Sequence, residues 1–285
     1  MSIPTLPSSF PGTLDEDVRA VLGGGAGDCA VAVRSLEAPP RTLLINAHET
    51  FHAASTMKTP VMVELYRQAE EGRIDLDDTV RVENAFRSLV DGSRYALAPE
   101  DDSYDALYAH LGEQRSIRTL MQEMITASSN LATNILLETV GAERTTESMR
   151  RYGADRIQVR RGVEDMTAYR RGLNNEASAH DLLVLFEQIA RGTAVSEQAS
   201  HEMIEILKAQ EHNDMIPARL PASVEVAHKT GWIPGLRHDS GVVFVPEGPT
   251  YVVVLLSQNL ENEEARAQAF ARVSRMVFDA MARGG

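Results

Sequence analysis

The sequence predicts an α+β protein in which one sheet is built from both ends of the chain. Strand-like apolar runs lie near the N-terminus and again towards the C-terminus, whereas the segments between them recur with the period of a helix. The 285 residues, 43% hydrophobic and 24% charged, have the composition of an ordinary globular protein. We therefore expect an antiparallel sheet flanked by terminal helices, with an all-helical lobe inserted between its strands.

The N-terminal part of the chain predicts a helix followed by a hairpin. Leu14–Leu22 has the pattern of a short amphipathic helix, and Cys29–Leu36 and Thr42–Asn46 are strand-like runs. Pro39 and Pro40, between the two runs, indicate the turn of a hairpin.

The middle of the chain is predicted to be mostly helical. From Ser55 onwards apolar residues recur every four positions, which marks a helix buried on one side: Met57, Val61, Leu65 and Ala69. Further helices are predicted at Ile117–Thr126, Leu131–Val140, Ala179–Arg191 and Ser196–Ala209. The stretch Tyr152–Glu176 has no clean period and is interpreted as a structured loop.

The C-terminal part returns to strands and closes with a helix. The predicted elements are strands at Val224–Lys229, Ser240–Val245 and Thr250–Ser257, and a helix at Glu261–Arg283. This pattern divides the chain into an α/β lobe formed by residues 1–54 and 213–285, and an all-helical lobe formed by residues 55–212. The active site is expected in the cleft between the lobes.

Charge and hydropathy exclude several classes of partner. Acidic residues exceed basic residues by 41 to 28 and no Lys/Arg run is longer than two, so we expect no nucleic-acid partner. Apolar stretches such as Tyr251–Leu256 are too short to span a membrane. The single Cys29 cannot form an internal disulfide. The N-terminal residues lack the pattern of a secretory signal, which predicts a cytoplasmic protein unless the sequence is a trimmed secreted form. The oligomeric state is left open.

The segment HETFHAASTMK contains two catalytic spacings. H-E-x-x-H, formed by His48, Glu49 and His52, binds zinc when both imidazoles lie on one face of a helix. S-x-x-K, formed by Ser55 and Lys58, places a serine nucleophile beside a lysine base on the first turn of a helix. The histidines follow a strand-like run and no third zinc ligand is marked. The S-x-x-K interpretation is therefore favoured, with no cofactor, and zinc hydrolysis stays open as an alternative.

Two further motifs support the serine interpretation. Ser128-Ser129-Asn130 lies in the turn between two predicted helices, and Lys229-Thr230-Gly231 lies at the end of a predicted strand. S-x-x-K, S-D-N and K-T-G together are the signature of class A β-lactamases and penicillin-binding proteins. The first two motifs are 73 residues apart and the last two 101 residues apart, as in that family. The chain thus resembles a class A β-lactamase-like serine hydrolase, from its first strands to its C-terminal helix.

The resemblance implies how the reacting groups work. Ser55 would attack a carbonyl and become an acyl-ester, and Lys58 would take its proton. A dry pocket and the nearby Lys229 would lower the pKa of Lys58 enough for this. Ser128 would pass the proton to the leaving nitrogen while Lys229 holds its hydroxyl. The backbone N–H groups of Ser55 and Trp232 would form the oxyanion hole.

The resemblance also implies which residues bind the substrate. Asn130 would hydrogen-bond a substrate amide. Thr230 and Arg237 would hold a substrate carboxylate, with Gly231 in the same motif. A solvated salt bridge explains Arg237 equally well. The implied partner is a small molecule: a β-lactam, or a related ester or amide.

The chain departs from the family pattern in two motifs. The middle motif reads S-S-N, so one carboxylate of the family is missing. The family string E-x-x-L-N, which positions the hydrolytic water, is also absent, and GVEDMTAYRRGLNN stands in its expected place. Glu164 is the candidate base for deacylation, and a salt bridge to a neighbouring arginine is the alternative. Without such a carboxylate the protein would act as a penicillin-binding esterase, as a slow D-Ala-D-Ala-type peptidase, or as a binding protein without turnover.

Overall fold

The computed structural model describes residues 8–9, 14–23 and 28–282. Its strands are β1 (Ser8–Ser9), β2 (Asp28–Ser35), β3 (Arg41–Ile45), β4 (Thr50–His52), β5 (Thr79–Arg81), β6 (Phe86–Arg87), β7 (Arg94–Tyr95), β8 (Gln114–Ser116), β9 (Glu176–Ser178), β10 (Glu225–Ile233), β11 (Leu236–Phe244) and β12 (Tyr251–Gln258). Its α-helices are α1 (Leu14–Gly23), α2 (Lys58–Glu70), α3 (Ile117–Thr126), α4 (Asn130–Val140), α5 (Ala142–Arg151), α6 (Met166–Arg170), α7 (Ala179–Ala190), α8 (Glu197–Lys208) and α9 (Glu263–Ala282). Short 3₁₀ segments lie at Ala54–Met57, Pro99–Asp101, Asp105–His110 and Pro217–Arg219.

The main sheet combines strands from both ends of the chain. Its order is β1-β3-β2-β12-β11-β10, and every neighbouring pair is antiparallel except the two-residue β1 with β3. The predicted fold class, an α+β protein with a sheet of N- and C-terminal strands, is confirmed. Strand β10 lies at the edge of the sheet, and the 3₁₀ turn Ala54–Met57 contacts it.

Both faces of this sheet are covered. Val253 and Leu255 of β12 lie in one core cluster with residues of α1 and α9, whereas Val254 and Leu256 lie in a second cluster with the helical region. Successive side chains of a strand point to opposite faces, so a strand covered on both faces is apolar at every position. This is why the run from residue 251 to 256 is apolar throughout.

The helical region packs around α2, whose middle turns are almost completely buried. Several of its helices begin at a serine whose side chain accepts the N–H of the third residue onward, which satisfies a donor that the helix leaves unpaired. These serines are Ser116 before α3, Ser129 before α4, Ser178 before α7 and Ser196 before α8. They fix the starts of the helices that were predicted there.

The structure differs from the sequence prediction in several elements, and the short strands β5 to β8 were not predicted. The helix expected from Ser55 begins as the 3₁₀ turn, and α2 proper starts at Lys58. Helix α5 was not predicted, and the short α6 lies inside the expected loop Tyr152–Glu176. Strands β4 and β9 pair with each other, which brings the end of that loop close to the segment that carries Ser55.

Both ends of the chain include residues outside the described part. Helix α9 ends at Ala282, and Arg283, the predicted last residue of this helix, lies outside the described residues. The predicted division into two lobes includes residues at both ends that are not described, and it stays a prediction. Among the described helices, none has the length and apolar character of a membrane-crossing segment.

Candidate active site

Ser55 and Lys58 are placed by the 3₁₀ turn that leads into α2. In a 3₁₀ helix side chains three positions apart eclipse each other, so both project to the same side. Ala54, immediately before the serine, has a φ of +44°, a rare backbone conformation for a residue with a side chain. The Nδ1 atom of His52 accepts the N–H of Ala54 at 3.1 Å and supports this conformation. Ser55 is half-buried and Lys58 is completely buried.

The H-E-x-x-H alternative does not meet its structural condition. His48 lies in a turn and His52 in strand β4, so the two imidazoles do not share a helix face. The ring of His48 packs on His180, with 4.4 Å between ring centroids. The Nε2 atom of His52 lies 3.3 Å from the guanidinium of Arg161. Burial and this guanidinium lower the pKa of His52 to about 4. The zinc interpretation required both histidines on one helix, and that requirement is not met. The imidazole of His52 instead accepts the backbone N–H of Ala54.

The hydroxyl of Ser128 lies between the two lysines of the motifs. Its Oγ is 3.1 Å from Lys58 Nζ and 3.1 Å from Lys229 Nζ. Lys58 also donates to the Ser128 carbonyl at 2.6 Å and to Asn130 Oδ1 at 2.9 Å, and Lys229 donates to the Thr230 carbonyl at 3.1 Å. Ser128 has a φ of +61°, so the turn presents its hydroxyl and its carbonyl to Lys58 together. The structure thus brings the three predicted motifs together.

The surroundings of the two lysines favour loss of a proton from Lys58. Burial lowers the pKa of Lys58 well below its ordinary value, and the charge of Lys229 lowers it further. Burial also lowers the pKa of Lys229, to about 7, against the opposing charge of Asp239. A neutral Lys58 has a lone pair that can accept the Ser128 O–H, while Ser128 accepts an N–H from Lys229. The Ser128 hydroxyl thus bridges the two lysine amines.

A cavity of about 250 Å³ lies over Ser55. Its lining includes six residues that the sequence motifs predicted: Ser55, Ser128, Thr230, Gly231, Trp232 and Arg237. It also includes residues that no motif indicated: Ser103, His212, Asn213, Asp214 and Met215. One wall of the cavity is therefore a loop between α8 and β10, which sequence reasoning missed.

Gly231 allows β10 to approach the nucleophile turn. A Cβ atom at this position would lie 3.3 Å from the backbone nitrogen of Ser55 and 3.2 Å from a methyl carbon of Thr56. Such distances are tighter than an ordinary contact, so a larger residue would push the strand and the turn apart. The close approach places the backbone of Ser55 and of the following Trp232 on the same cavity. Their assignment as the oxyanion hole stays a prediction.

Arg237 is already paired within the cavity lining. Its guanidinium contacts the carboxylate of Asp214, which lies on the opposite loop. The salt-bridge alternative for Arg237 is thus present, with a partner that also lines the cavity. A substrate carboxylate would have to compete with Asp214, and the predicted substrate contact of Arg237 stays a prediction.

Glu164 lies in a group of carboxylates rather than on the cavity lining. It is half-buried, with a φ of +60°, and it faces Asp101, Asp102 and the backbone N–H of Ala98. Burial, followed by the charges of Asp101 and Asp102, raises its pKa. Its neighbour Arg160 pairs with Glu176 instead. Its assignment as the base of deacylation stays a prediction.

Asn134 fixes the loop before Glu164, a contact that no motif indicated. Its side chain accepts the N–H of Val163 at 2.7 Å and donates to the Val163 carbonyl at 3.0 Å. Asn134 is buried in α4, so the loop is held against the same helix that begins at Asn130. The two backbone contacts define the position from which Glu164 projects.

Comparison with known proteins covers almost the whole chain. The model of the beta-lactamase enzyme family matches residues 13–281. An extended-spectrum beta-lactamase PER-1 from Pseudomonas aeruginosa is 24% identical over 93% of this chain and 86% of its own length. A beta-lactamase structure from Sphaerobacter thermophilus superimposes with a TM-score of 0.79, at 23% identity over 95% of this chain and 98% of that one. The structure of PBP-A superimposes with a TM-score of 0.83, at 22% identity over 99% and 100% of the two chains.

Proposed function

This chain belongs to the beta-lactamase enzyme family, and we propose that it is a serine hydrolase that forms an acyl-enzyme on Ser55. The observation that carries the proposal is the Ser128 hydroxyl, placed 3.1 Å from the Nζ atoms of both Lys58 and Lys229. Burying two amines beside one hydroxyl lowers the stability of the folded protein. Groups whose pKa is shifted by burial and by neighbouring charges cluster at catalytic sites. The proposed substrates are β-lactams and related amides or esters.

Acylation begins with proton transfer from Ser55 to Lys58. Neutral Lys58 accepts the hydroxyl proton as Ser55 Oγ bonds to the carbonyl carbon, and the carbonyl oxygen becomes an oxyanion. As an ammonium group Lys58 donates to the Ser128 carbonyl, the Ser128 hydroxyl and Asn130. As a neutral amine it has one N–H fewer and a lone pair, which is the form that can take a proton.

The second half of acylation breaks the carbon–nitrogen bond. The leaving nitrogen takes the proton of the Ser128 hydroxyl, and Ser128 regains a proton from the Lys58 ammonium group. Lys229 donates to Ser128 Oγ throughout and holds the hydroxyl in place. The step leaves an acyl-ester on Ser55 and restores neutral Lys58.

Deacylation needs a water molecule and a base, and Glu164 is the candidate. Its raised pKa would suit a base working near neutral pH. A second candidate function is a penicillin-binding esterase or peptidase with slow deacylation. The observation that favours it is the position of Glu164 beside Asp101 and Asp102 instead of on the lining of the Ser55 cavity. A mutant of PBP-A, a structure of the same fold, has been solved as an acyl-enzyme complex with penicillin G.

The test is to mix the protein with a chromogenic cephalosporin and follow both colour and protein mass over time. We expect an adduct of the acyl mass on the wild type and none on Ser55→Ala. An adduct that forms and clears with continued turnover supports the β-lactamase function. An adduct that persists supports the slowly deacylating alternative, or a binding protein without turnover. An adduct on Ser55→Ala, or neither an adduct nor turnover on the wild type with β-lactams and simple esters, would overturn the proposal.

A further inference from the structure

Asp102 is a half-buried carboxylate that joins the start of α4 to the segment after the 3₁₀ turn Pro99–Asp101. Its two oxygens accept the N–H of Asn130 at 2.8 and 3.0 Å and the N–H of Leu131 at 2.8 Å. The hydroxyl of Tyr108 also donates to it at 3.1 Å. No sequence motif contains this aspartate, and it lies outside the cavity lining.

These contacts divide the capping of α4 between two residues. The Ser129 side chain accepts the N–H of Ala132, while Asp102 accepts the two N–H groups before it. A negative charge at this position is stabilised by the partial positive charge of a helix N-terminus. Ser129 stands where the family motif S-D-N has its aspartate. The structure therefore supplies a carboxylate to this turn from another part of the chain.

The turn that Asp102 holds carries the acceptors of Lys58. Lys58 donates to the Ser128 carbonyl and to the Asn130 side chain, one residue on either side of Ser129. Fixing the backbone N–H of Asn130 therefore fixes the place of Lys58. Asp102 also acts on Lys58 through its charge, which favours the ammonium form and opposes the effects of burial and Lys229.

We propose that Asp102 is a positioning residue for acylation, which holds the Ser128–Asn130 turn against Lys58 and supplies the negative charge that balances Lys229. The inference rests on the proposed function, in which Lys58 is the base that activates Ser55. It explains how the site keeps a carboxylate near Lys58 although the middle motif reads S-S-N. Asp102 differs in this from the neighbouring Asp101 and Asp105, which accept no hydrogen bond from the Ser128–Asn130 turn.

The test compares Asp102→Asn, Asp102→Ala and Asp105→Asn by the rate of acylation of Ser55 with a fluorescent penicillin across pH. Acylation needs neutral Lys58, so the acylation rate falls as the pH drops through the pKa of Lys58. This fall is the acidic limb of the pH–rate profile. Asp102 raises that pKa, so we expect Asp102→Asn to move the acidic limb to lower pH by about one unit. Asp105→Asn removes the same charge from an exposed position on the same segment. Asp105 is not one of the charges that shift the pKa of Lys58, so the acidic limb of this variant should coincide with that of the wild type.

The two substitutions at Asp102 separate charge from position. Asn is a good helix cap and keeps an oxygen for the N–H groups, whereas Ala keeps none. We expect Asp102→Ala to acylate about tenfold more slowly than Asp102→Asn at their optimal pH. If Asp102→Asn does not fold, Asp102→Ser removes the charge and keeps a capping oxygen.

The outcomes distinguish this inference from the proposed function. Acidic limbs that coincide in the wild type and the uncharged variants, or a limb that moves equally in Asp105→Asn, would overturn the inference while Ser55 still acylates. Equal acylation rates for Asp102→Ala and Asp102→Asn would contradict the claim that Asp102 positions the Ser128–Asn130 turn. Failure of the wild type to acylate at all would instead sink the proposed function.

Discussion

The proposed acylation centre and the loop that carries Glu164 differ in how their titratable groups are paired. At the centre, Ser128 contacts both lysines, and each lysine amine has further acceptors within 3.1 Å. In the loop, Glu164 lies among carboxylates and away from the cavity lining. Under the proposed function, bond formation on Ser55 depends on the contacts of Ser128, and release of the product depends on the loop that carries Glu164. We expect acylation and deacylation to respond separately to substitution.

The largest effect is expected from Lys58→Arg, which tests whether the centre works by proton transfer. A guanidinium keeps the positive charge but does not lose its proton, so it cannot act as the base. We expect acylation of Ser55 to fall by about 10³-fold, within the usual range for loss of a general base. Stopped-flow acylation with a fluorescent penicillin measures it. Acylation within threefold of the wild type would show that Lys58 supplies charge only.

The next effect is expected from Lys229→Met, which removes one of the two ammonium groups. Lys229 lowers the pKa of Lys58, so its loss should raise that pKa and move the acidic limb of acylation to higher pH, by about one unit. Ser128 also loses a donor, and we expect acylation at pH 7 to fall by about 10²-fold.

The conservative variant Lys229→Arg is the control for that shift. It keeps a positive charge, so the acidic limb should stay closer to that of the wild type. The shift in Lys229→Met is opposite in direction to that expected for Asp102→Asn, and the same assay measures both. An unchanged acidic limb, or a shift to lower pH, in Lys229→Met would mean that Lys229 does not lower the pKa of Lys58 as the structure indicates.

Glu164→Gln tests whether the loop that carries Glu164 supplies the base for deacylation. We expect acylation to be unchanged and decay of the acyl-enzyme to slow by about tenfold. Since the pKa of Glu164 is raised, decay in the wild type should fall as pH drops through a value above the ordinary range of a glutamate. That dependence should be absent from Glu164→Gln. Intact mass spectrometry after removal of excess penicillin measures the decay.

The control for the loop is Glu100→Gln, which removes an exposed carboxylate from the nearby segment. Its acyl-enzyme should decay at the wild-type rate. Equal decay in Glu164→Gln and Glu100→Gln would show that Glu164 does not serve the ester. If the acyl-enzyme also persists in the wild type, the slowly deacylating alternative is the better description of the protein.

The acylation centre could be predicted from the sequence because short motifs place its side chains on fixed elements. A serine and a lysine three positions apart eclipse in a 3₁₀ turn, and K-T-G lies on the edge strand β10. Asp102 and Asp214 could not be predicted, since their contacts depend on loops and 41 carboxylates offer no way to single them out. Helix α5 was missed for a related reason. Its buried side is mostly small and polar, with Thr145, Thr146 and Ser148 beside Met149, so it shows no apolar stripe.

The smallest effect is expected from Asp214→Asn, which tests whether the cavity wall discriminates between substrates by charge. Asp214 pairs with Arg237, and a substrate carboxylate needs the same guanidinium. Half of the Asp214 side chain is exposed, so the pair contributes little free energy, and removing the charge should improve kcat/KM by about threefold. The gain should appear as a lower KM for a carboxylate-bearing β-lactam and be absent for its neutral methyl ester. Equal gains for both compounds would mean that the gain does not come from freeing Arg237, and that Arg237 does not bind the carboxylate.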